Sequence, residues 1–213
     1  MTRRLVVSLG FFAAGAIVMS GCAGKGPEDG KMPSSENPPG SSAAPGLPYA
    51  GAPKVTAPLP ATVLSGKPCS DALTADQVKT LLGSPVDTEP GETPNFGPDC
   101  GWTNPERGSQ VGVAYATIPR FGLSGVYQNT KPKAAVWKPL ADIQGFPAVG
   151  HAGQTGQTPP ADFCAVTVGI ADDLAVDVSV SLGRAKIGAI EPCDAAVQAA
   201  NAVVTTLKAK AGA

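Results

Sequence analysis

The chain has 213 residues, five cysteines, one histidine and a formal net charge of −1. A chain so close to neutral has no broad positive field, so its charge argues against nucleic acid as a partner and against membrane attachment through a basic patch. A single histidine and widely spaced cysteines argue against a metal site, and no phosphate-binding or dinucleotide-binding glycine motif occurs, so we predict no metal and no cofactor.

The N-terminal segment has the three parts of a secretory signal. Arg3 and Arg4 precede an apolar run over 5–18, and small residues then lead to Cys22. The run is shorter than the roughly 20 residues that a membrane span needs. A cysteine directly after two small residues resembles the bacterial lipobox, whose cysteine is lipidated. We therefore predict a lipoprotein signal peptide over 1–21 and a lipid on Cys22 that holds the protein on the extracytoplasmic face of the cell membrane. An ordinary cleaved signal and an uncleaved anchor are the alternatives.

The next segment, residues 22–62, is rich in Pro, Gly, Ser and Ala and holds few large apolar side chains. Such a segment cannot bury enough surface to offset the entropy of ordering it. We predict a disordered tether that carries a folded domain over 63–213 away from the membrane.

The domain begins with a helix whose two ends are readable. Thr74 followed three residues later by Gln77 is typical of a capping box, and Gly83 stands where a helix commonly ends. We predict a helix over 74–82.

The middle of the domain is predicted to be β structure. Apolar residues alternate with small or polar ones over 111–117, 164–170 and 174–182, which is the period of a strand with one buried face. The polar set on the last strand indicates a solvated second face and an antiparallel sheet. We predict one α+β domain with an antiparallel sheet, helices packed on one face and two disulfides.

The hairpin between the last two strands has a predictable register. Their apolar sets share a face only if the loop is odd in length, such as 171–173, which pairs Ile170 with Leu174 and Cys164 with Val180. Cys164 then points into the core.

Four cysteines remain beside the lipidated one, and an exported chain favours disulfides between them. Pro192 suits the first turn of a final helix, and Cys193 lies on its apolar stripe. Because Cys164 and Cys193 then face the same interior, we favour Cys164–Cys193 with Cys69–Cys100. The crossed pairing, Cys69–Cys193 with Cys100–Cys164, stays open, since a sequence does not fix connectivity.

Few residues indicate chemistry. Gly122–Val126 comes near a nucleophile elbow but lacks its final glycine, and His151 lies in a glycine-bracketed stretch that we predict to be a loop. No catalytic residue is predicted. Trp137 lies between Lys133 and Lys138, and aromatic and cationic residues together are enriched at interfaces, so these three are a candidate interaction surface. The alternative is a core tryptophan with lysines beside it.

Short motifs spread along the domain resemble a known family. They are Pro68-Cys69 ahead of a Leu-Thr-x-x-x-Val helix ending in Leu-Leu-Gly, Cys100-Gly101-Trp102, Gly145-Phe146-Pro147-Ala148-Val149, Cys164 in a strand, and Pro192-Cys193. This pattern is similar to actinobacterial lipoproteins catalogued as domain of unknown function 3558. The resemblance implies an exported, disulfide-bonded α+β domain behind a lipobox, and it implies no activity.

The functional expectation is a lipid-anchored, non-enzymatic module that binds an unidentified protein or a cell-envelope component. A carrier of a small apolar ligand, held in a cavity between sheet and helices, is the alternative. A hydrolase acting on envelope material through His151 and nearby carboxylates is the weakest hypothesis of the three.

Overall fold

The computed structural model describes residues 46–213. The predicted signal peptide over 1–21, the lipidation of Cys22 and the first part of the predicted tether therefore lie outside the described residues. Within 46–213, no helix has the length and apolar character needed to cross a bilayer.

One antiparallel sheet of seven strands forms the centre of the domain, in the spatial order β1-β2-β3-β7-β6-β5-β4. The predicted α+β class is confirmed. The strands are β1 (Asp87–Thr93), β2 (Gly97–Asn104), β3 (Ser109–Ala116), β4 (Val136–Pro139), β5 (Ala148–Ala152), β6 (Phe163–Ala171) and β7 (Leu174–Ser181).

Four α-helices accompany the sheet in the described range: α1 (Pro68–Asp71), α2 (Ala75–Leu82), α3 (Gly122–Asn129) and α4 (Pro192–Ala211). The predicted first helix is confirmed as α2. The Thr74 side chain accepts a hydrogen bond from the Gln77 backbone N–H, and the Gln77 side chain accepts one from the Thr74 backbone N–H, so both halves of the capping box are present. Gly83 ends the helix with a φ of 80°, a conformation that favours glycine.

The two faces of the sheet differ in their cover. On the helix-covered face, side chains such as Trp102, Val113 and Val178 pack with α1, α2 and α4 in the main hydrophobic core. The opposite face, here called the open face, carries Gly112, Ser179 and their neighbours on the other strands. Helix α3, which the sequence patterns did not reveal, covers one end of the open face through a small apolar cluster made of Ala52, Leu123, Val126 and Val149.

The hairpin of β6 and β7 has the predicted register but a different turn. Cys164 pairs with Val180 as expected. The loop itself is shorter than predicted, because Ala171 pairs with Leu174, and an irregularity between Gly169 and Ala171 absorbs the extra residue. A β-bulge of this kind lets a two-residue loop coexist with apolar sets on one face. The predicted pairing of Ile170 with Leu174 is therefore wrong, and the predicted common face is right.

Both favoured disulfides are present, Cys69–Cys100 and Cys164–Cys193. Each joins a helix to a strand: Cys69 lies in α1 and Cys193 at the start of α4, whereas their partners lie on β2 and β6. Cys100 and Cys164 are both buried on the helix-covered face. The two bonds thus fasten the helical layer to the sheet.

Residues 46–62 correct the predicted domain boundary, since they pack on the domain instead of forming part of a disordered tether. Val55 and Leu59 are buried in the main core. The Val55 N–H donates to the Asp172 carboxylate at 2.8 Å, and the Leu59 N–H donates to the Ile170 carbonyl at 2.9 Å. Val55 and Leu59 thus meet partners at the β6–β7 turn, whereas Ala52 packs in the cluster at α3, and composition alone does not reveal these contacts.

Candidate functional site

The three residues of the predicted interaction surface do not share one surface. Trp137 lies on β4, and its neighbour Lys138 points to the opposite face of the sheet, where its Nζ lies 3.4 Å from the Asp194 carboxylate of α4. Lys133 is exposed in the loop before β4. The proposed combination of Trp137, Lys133 and Lys138 is therefore wrong as a single patch, because successive residues of a strand alternate between faces.

A different lysine accompanies the tryptophan. Lys131 Nζ lies 5.2 Å from the ring centre of Tyr127 and 5.7 Å from that of Trp137. The two rings meet edge to face with their centres 5.0 Å apart. Burial raises the pKa of the Tyr127 phenol. We call Tyr127, Lys131 and Trp137 the aromatic cluster; it lies on the open face beside edge strand β4.

His151 lies in strand β5, not in the predicted loop, and it is partly buried. Its cross-strand partner is Trp137, whose ring is nearly parallel to the imidazole. His151 Nε2 lies 3.0 Å from the Thr167 hydroxyl and 3.5 Å from the Asp177 carboxylate. The Thr167 hydroxyl in turn donates to Asp177. The sequence did not reveal this trio, because its members come from three strands.

The trio has the residue types of an acid–base catalytic site, but its hydroxyl group is not accessible to a substrate. Thr167 is the hydroxyl residue beside the imidazole, and its side chain is fully buried. A nucleophile must reach the substrate carbonyl, and a buried hydroxyl that already donates to a carboxylate cannot do so. Ser124 of the near-elbow motif lies in α3, where it is buried and accepts a hydrogen bond from the Tyr49 N–H at 2.9 Å. It helps to hold the 46–62 segment and makes no hydrogen bond to this trio.

An apolar concavity lies on the helix-covered side. This cleft, of about 570 Å³, opens between α2, α4, the β2–β3 loop and the segment that follows β7. Its floor is made of Leu82, Val111, Val180 and Leu182. The β7 stripe shows why the cleft forms there: Val176 and Val178 have no exposed surface, whereas Val180 and Leu182 are 7% and 6% exposed. The end of the apolar stripe is thus slightly less completely covered than its middle.

One wall of the cleft is held by a buried asparagine. Asn104 accepts hydrogen bonds from the N–H groups of Glu106 and Arg107 at 3.0 and 2.9 Å, and it donates to the Leu82 carbonyl at 2.9 Å. An asparagine that bonds to the backbone two and three residues on fixes a turn. The turn brings Arg107 to the C-terminal end of α2, where its guanidinium donates to the same carbonyl at 3.4 Å.

The opposite rim is the segment 183–191 between β7 and α4, which the sequence analysis did not single out. Arg184, Lys186 and Ile190 line the cleft from this rim. Ile190 and its neighbour Ile187 are each 43% exposed, which is unusual for large apolar side chains. The sequence signal that could have revealed this rim is the alternation of cationic and apolar residues just before the final helix.

No group of three or more His, Cys, Asp or Glu side chains within residues 46–213 has a geometry that could hold a metal ion. The model of one protein family matches residues 17–206, and that family is described as Protein of unknown function (DUF3558). No curated protein matches the chain. No solved structure matches it either.

Proposed function

The chain belongs to the DUF3558 family of proteins of unknown function, and we propose that it is a lipid-anchored, non-enzymatic module that binds an apolar component of the cell envelope. The anchor is the lipid on Cys22, at the end of the signal over 1–21, and the working location is the extracytoplasmic face of the membrane. The proposal joins two expectations from the sequence, a binding module and a carrier with a cavity between sheet and helices.

The cleft is the observation that carries this proposal. Pockets for small ligands occupy about 300–1,000 Å³ and combine apolar walls with a few polar groups. A cleft of about 570 Å³ with an apolar floor and a polar rim meets this description. Its floor belongs to a sheet stapled by two disulfides, so the site is largely preformed.

Ligand retention provides the direct test. Protein extracted from its own membrane in mild conditions and weighed by native mass spectrometry is expected to carry a bound molecule of defined mass. Ala195→Phe, which places a ring in the cleft from α4, should remove that mass. Ala209→Phe is the matched control, because Ala209 is exposed on the same helix and does not line the cleft. Loss of the bound mass in both variants, or in neither, would overturn the proposal.

The non-enzymatic part of the proposal is supported by the closed trio of His151, Thr167 and Asp177. Its hydroxyl is buried and its histidine contacts Trp137 on the exposed side. We expect His151→Ala to leave any turnover of envelope glycans, esters or peptides at the level of the unaltered protein. Turnover by the unaltered protein that disappears in His151→Ala would show that the module is an enzyme.

A protein partner at the aromatic cluster is a second candidate. The supporting observation is Lys131 placed over both rings at the edge of the sheet. Aromatic and cationic side chains that combine in this way are frequent at the centres of interfaces. A photo-crosslinking residue at position 133, exposed two residues beyond Lys131, is expected to capture one partner in living cells, and Trp137→Ala should abolish the capture. The same residue at position 79, exposed on α2, is the control.

A further inference from the structure

The charge around the cleft has one dominant sign. Arg107, Arg184 and Lys186 line it, and Glu106 is the only carboxylate among the lining residues. The whole chain, in contrast, has a net charge of −1. The positive charge is therefore concentrated at the mouth of an apolar cavity.

These cations are available to a ligand. Within residues 46–213, none of the three lies within ion-pair distance of a carboxylate, although four other such pairs are present. All three are exposed, and Arg107 also donates to the Leu82 carbonyl. A basic group without an acidic partner keeps its full attraction for an anion.

Hydrogen bonds order the main chain that carries Arg184 and Lys186. The Lys186 N–H donates to the Gly183 carbonyl at 2.8 Å, and the Lys186 carbonyl accepts from the N–H groups of Ala189 and Ile190 at 3.0 and 3.2 Å. The segment is fixed at one end by β7 and at the other by the Cys164–Cys193 disulfide. A rim ordered in this way loses little conformational entropy when a ligand binds.

We infer that the cleft binds an anionic amphiphile, whose apolar chain lies on Leu82, Val180 and Leu182 and whose anionic head group meets Arg184 and Lys186. The inference rests on the proposed function and adds the charge of the ligand and its orientation. Ile190, exposed on the rim beside the cations, extends the apolar surface along the chain. A carboxylate and a phosphate share the required chemistry, because both accept charge-assisted hydrogen bonds from arginine and lysine.

Three probes with the same chain and different head groups test the inference: dodecanoate, dodecyl phosphate and dodecanol. Titration calorimetry is performed on the full chain carrying Cys22→Ala, which removes the predicted acylation site. Both anions are expected to bind about two- to thirtyfold more tightly than dodecanol, the scale of two exposed charge contacts. This preference should weaken as ionic strength rises. A preference for one anion over the other distinguishes a carboxylate ligand from a phosphate ligand.

The double variant Arg184→Gln/Lys186→Gln should bind both anions with the affinity of dodecanol. Lys54→Gln/Lys67→Gln, which removes two exposed cations away from the cleft, should change nothing. If the anions and dodecanol bind equally well and Ala195→Phe abolishes all binding, the inference is wrong while the proposed function stands. If no probe binds to the chain carrying Cys22→Ala alone, both are wrong.

Discussion

The two faces of the sheet carry different side chains on the same strands. On the helix-covered face, Val176 and Val178 of β7 are completely buried beneath α4. On the open face, the intervening Asp177 and Ser179 remain partly exposed, and they lie opposite Ala114 and Gly112 of β3. One strand thus combines the principal core of the domain with a solvated surface of small and polar side chains.

The features that stabilise the domain and the proposed binding cleft lie on the same face of the sheet. Both disulfides, the long helix α4 and the apolar cleft belong to the helix-covered face. The open face carries the small apolar cluster at α3, the polar trio of His151, Thr167 and Asp177, and the aromatic cluster. We therefore expect substitutions on the helix-covered face to dominate the free energy of unfolding, and four predictions test this difference.

The largest effect is expected from the disulfides. Removal of Cys164–Cys193 by Cys164→Ser/Cys193→Ser should lower the free energy of unfolding by about 3.5 kcal/mol in the chain-entropy model, since the two residues are 29 apart in sequence. Cys69→Ser/Cys100→Ser, with a separation of 31, should cost nearly the same. Denaturant unfolding of both variants measures this. A loss below about 1 kcal/mol in either would show that the corresponding helix is held without its disulfide.

The next largest effect compares the faces directly. Leu207→Ala on α4 removes a fully buried side chain, and the resulting cavity should cost about 3 kcal/mol. Ser179→Ala on the open face should change the free energy of unfolding by less than about 0.5 kcal/mol. Equal losses in the two variants, measured by denaturant unfolding, would remove the distinction between the faces.

A smaller effect on stability, opposite in direction on the two faces, is expected at two buried hydroxyl groups. Thr167 on the open face has two side-chain partners, so Thr167→Val should cost about 1 kcal/mol. Tyr115 on the helix-covered face is buried, and its hydroxyl has no hydrogen-bond partner within residues 46–213. Burial raises the pKa of Tyr115 and keeps it protonated.

Tyr115→Phe should therefore leave the melting temperature unchanged or raise it, because the substitution removes an unpaired polar group. Thermal unfolding of both variants checks the pair. A clear loss of stability in Tyr115→Phe would reveal a hydrogen bond to this hydroxyl and contradict the account of the core.

The smallest effect depends on pH. Lys210 Nζ at the end of α4 donates to the Asp71 carboxylate of α1 at 2.7 Å. This bond, and a further one from the Ser70 hydroxyl, hold the pKa of Asp71 below its usual value. A carboxylate with a lowered pKa stabilises the fold above its unfolded pKa, near 3.9, and this contribution disappears as the pH falls through the folded value.

Asp71→Asn should therefore cost less than about 1 kcal/mol at pH 7, because the pair is partly exposed, and the penalty should shrink as the pH falls below about 4. Unfolding curves of the variant and the unaltered protein at pH 7 and at a pH below about 4 measure the difference. A penalty that does not depend on pH would mean that the Asp71 charge contributes nothing.

The elements that were predicted correctly from the sequence are those whose structure depends on patterns within their own residues. The capping box of α2 and the alternation of β6 and β7 are local patterns, and burial of Cys164 and Cys193 on one side followed from them. The expectation that Cys164 and Cys193 face the same interior also favoured the disulfide pairs that are present. The turn at Asp172 and Asp173 was predicted one residue too long, because a bulge has no signal in the alternation itself.

The remaining elements depend on partners distant in sequence. Strand β1 is exposed along its whole length and contains Pro90 and Gly91, so neither periodicity nor propensity marks it, and pairing with β2 alone makes it a strand. The glycine-bracketed stretch around His151 was predicted to be a loop, because its small residues give no strand signal, but it forms the end of β5. The cleft was expected only as a cavity between sheet and helices, since its lining comes from four separate segments.

The central claim is that the helix-covered face holds the ligand and the open face does not. The most direct test is a titration of the full chain carrying Cys22→Ala with dodecanoate, followed by methyl NMR. We predict chemical-shift changes and ligand contacts at the methyl groups of Val180 and Leu182 on the cleft floor, and none at Val126 of α3 and Val149 of β5, which pack together on the open face. Contacts at Val126 and Val149, with Val180 and Leu182 unchanged, would contradict the account.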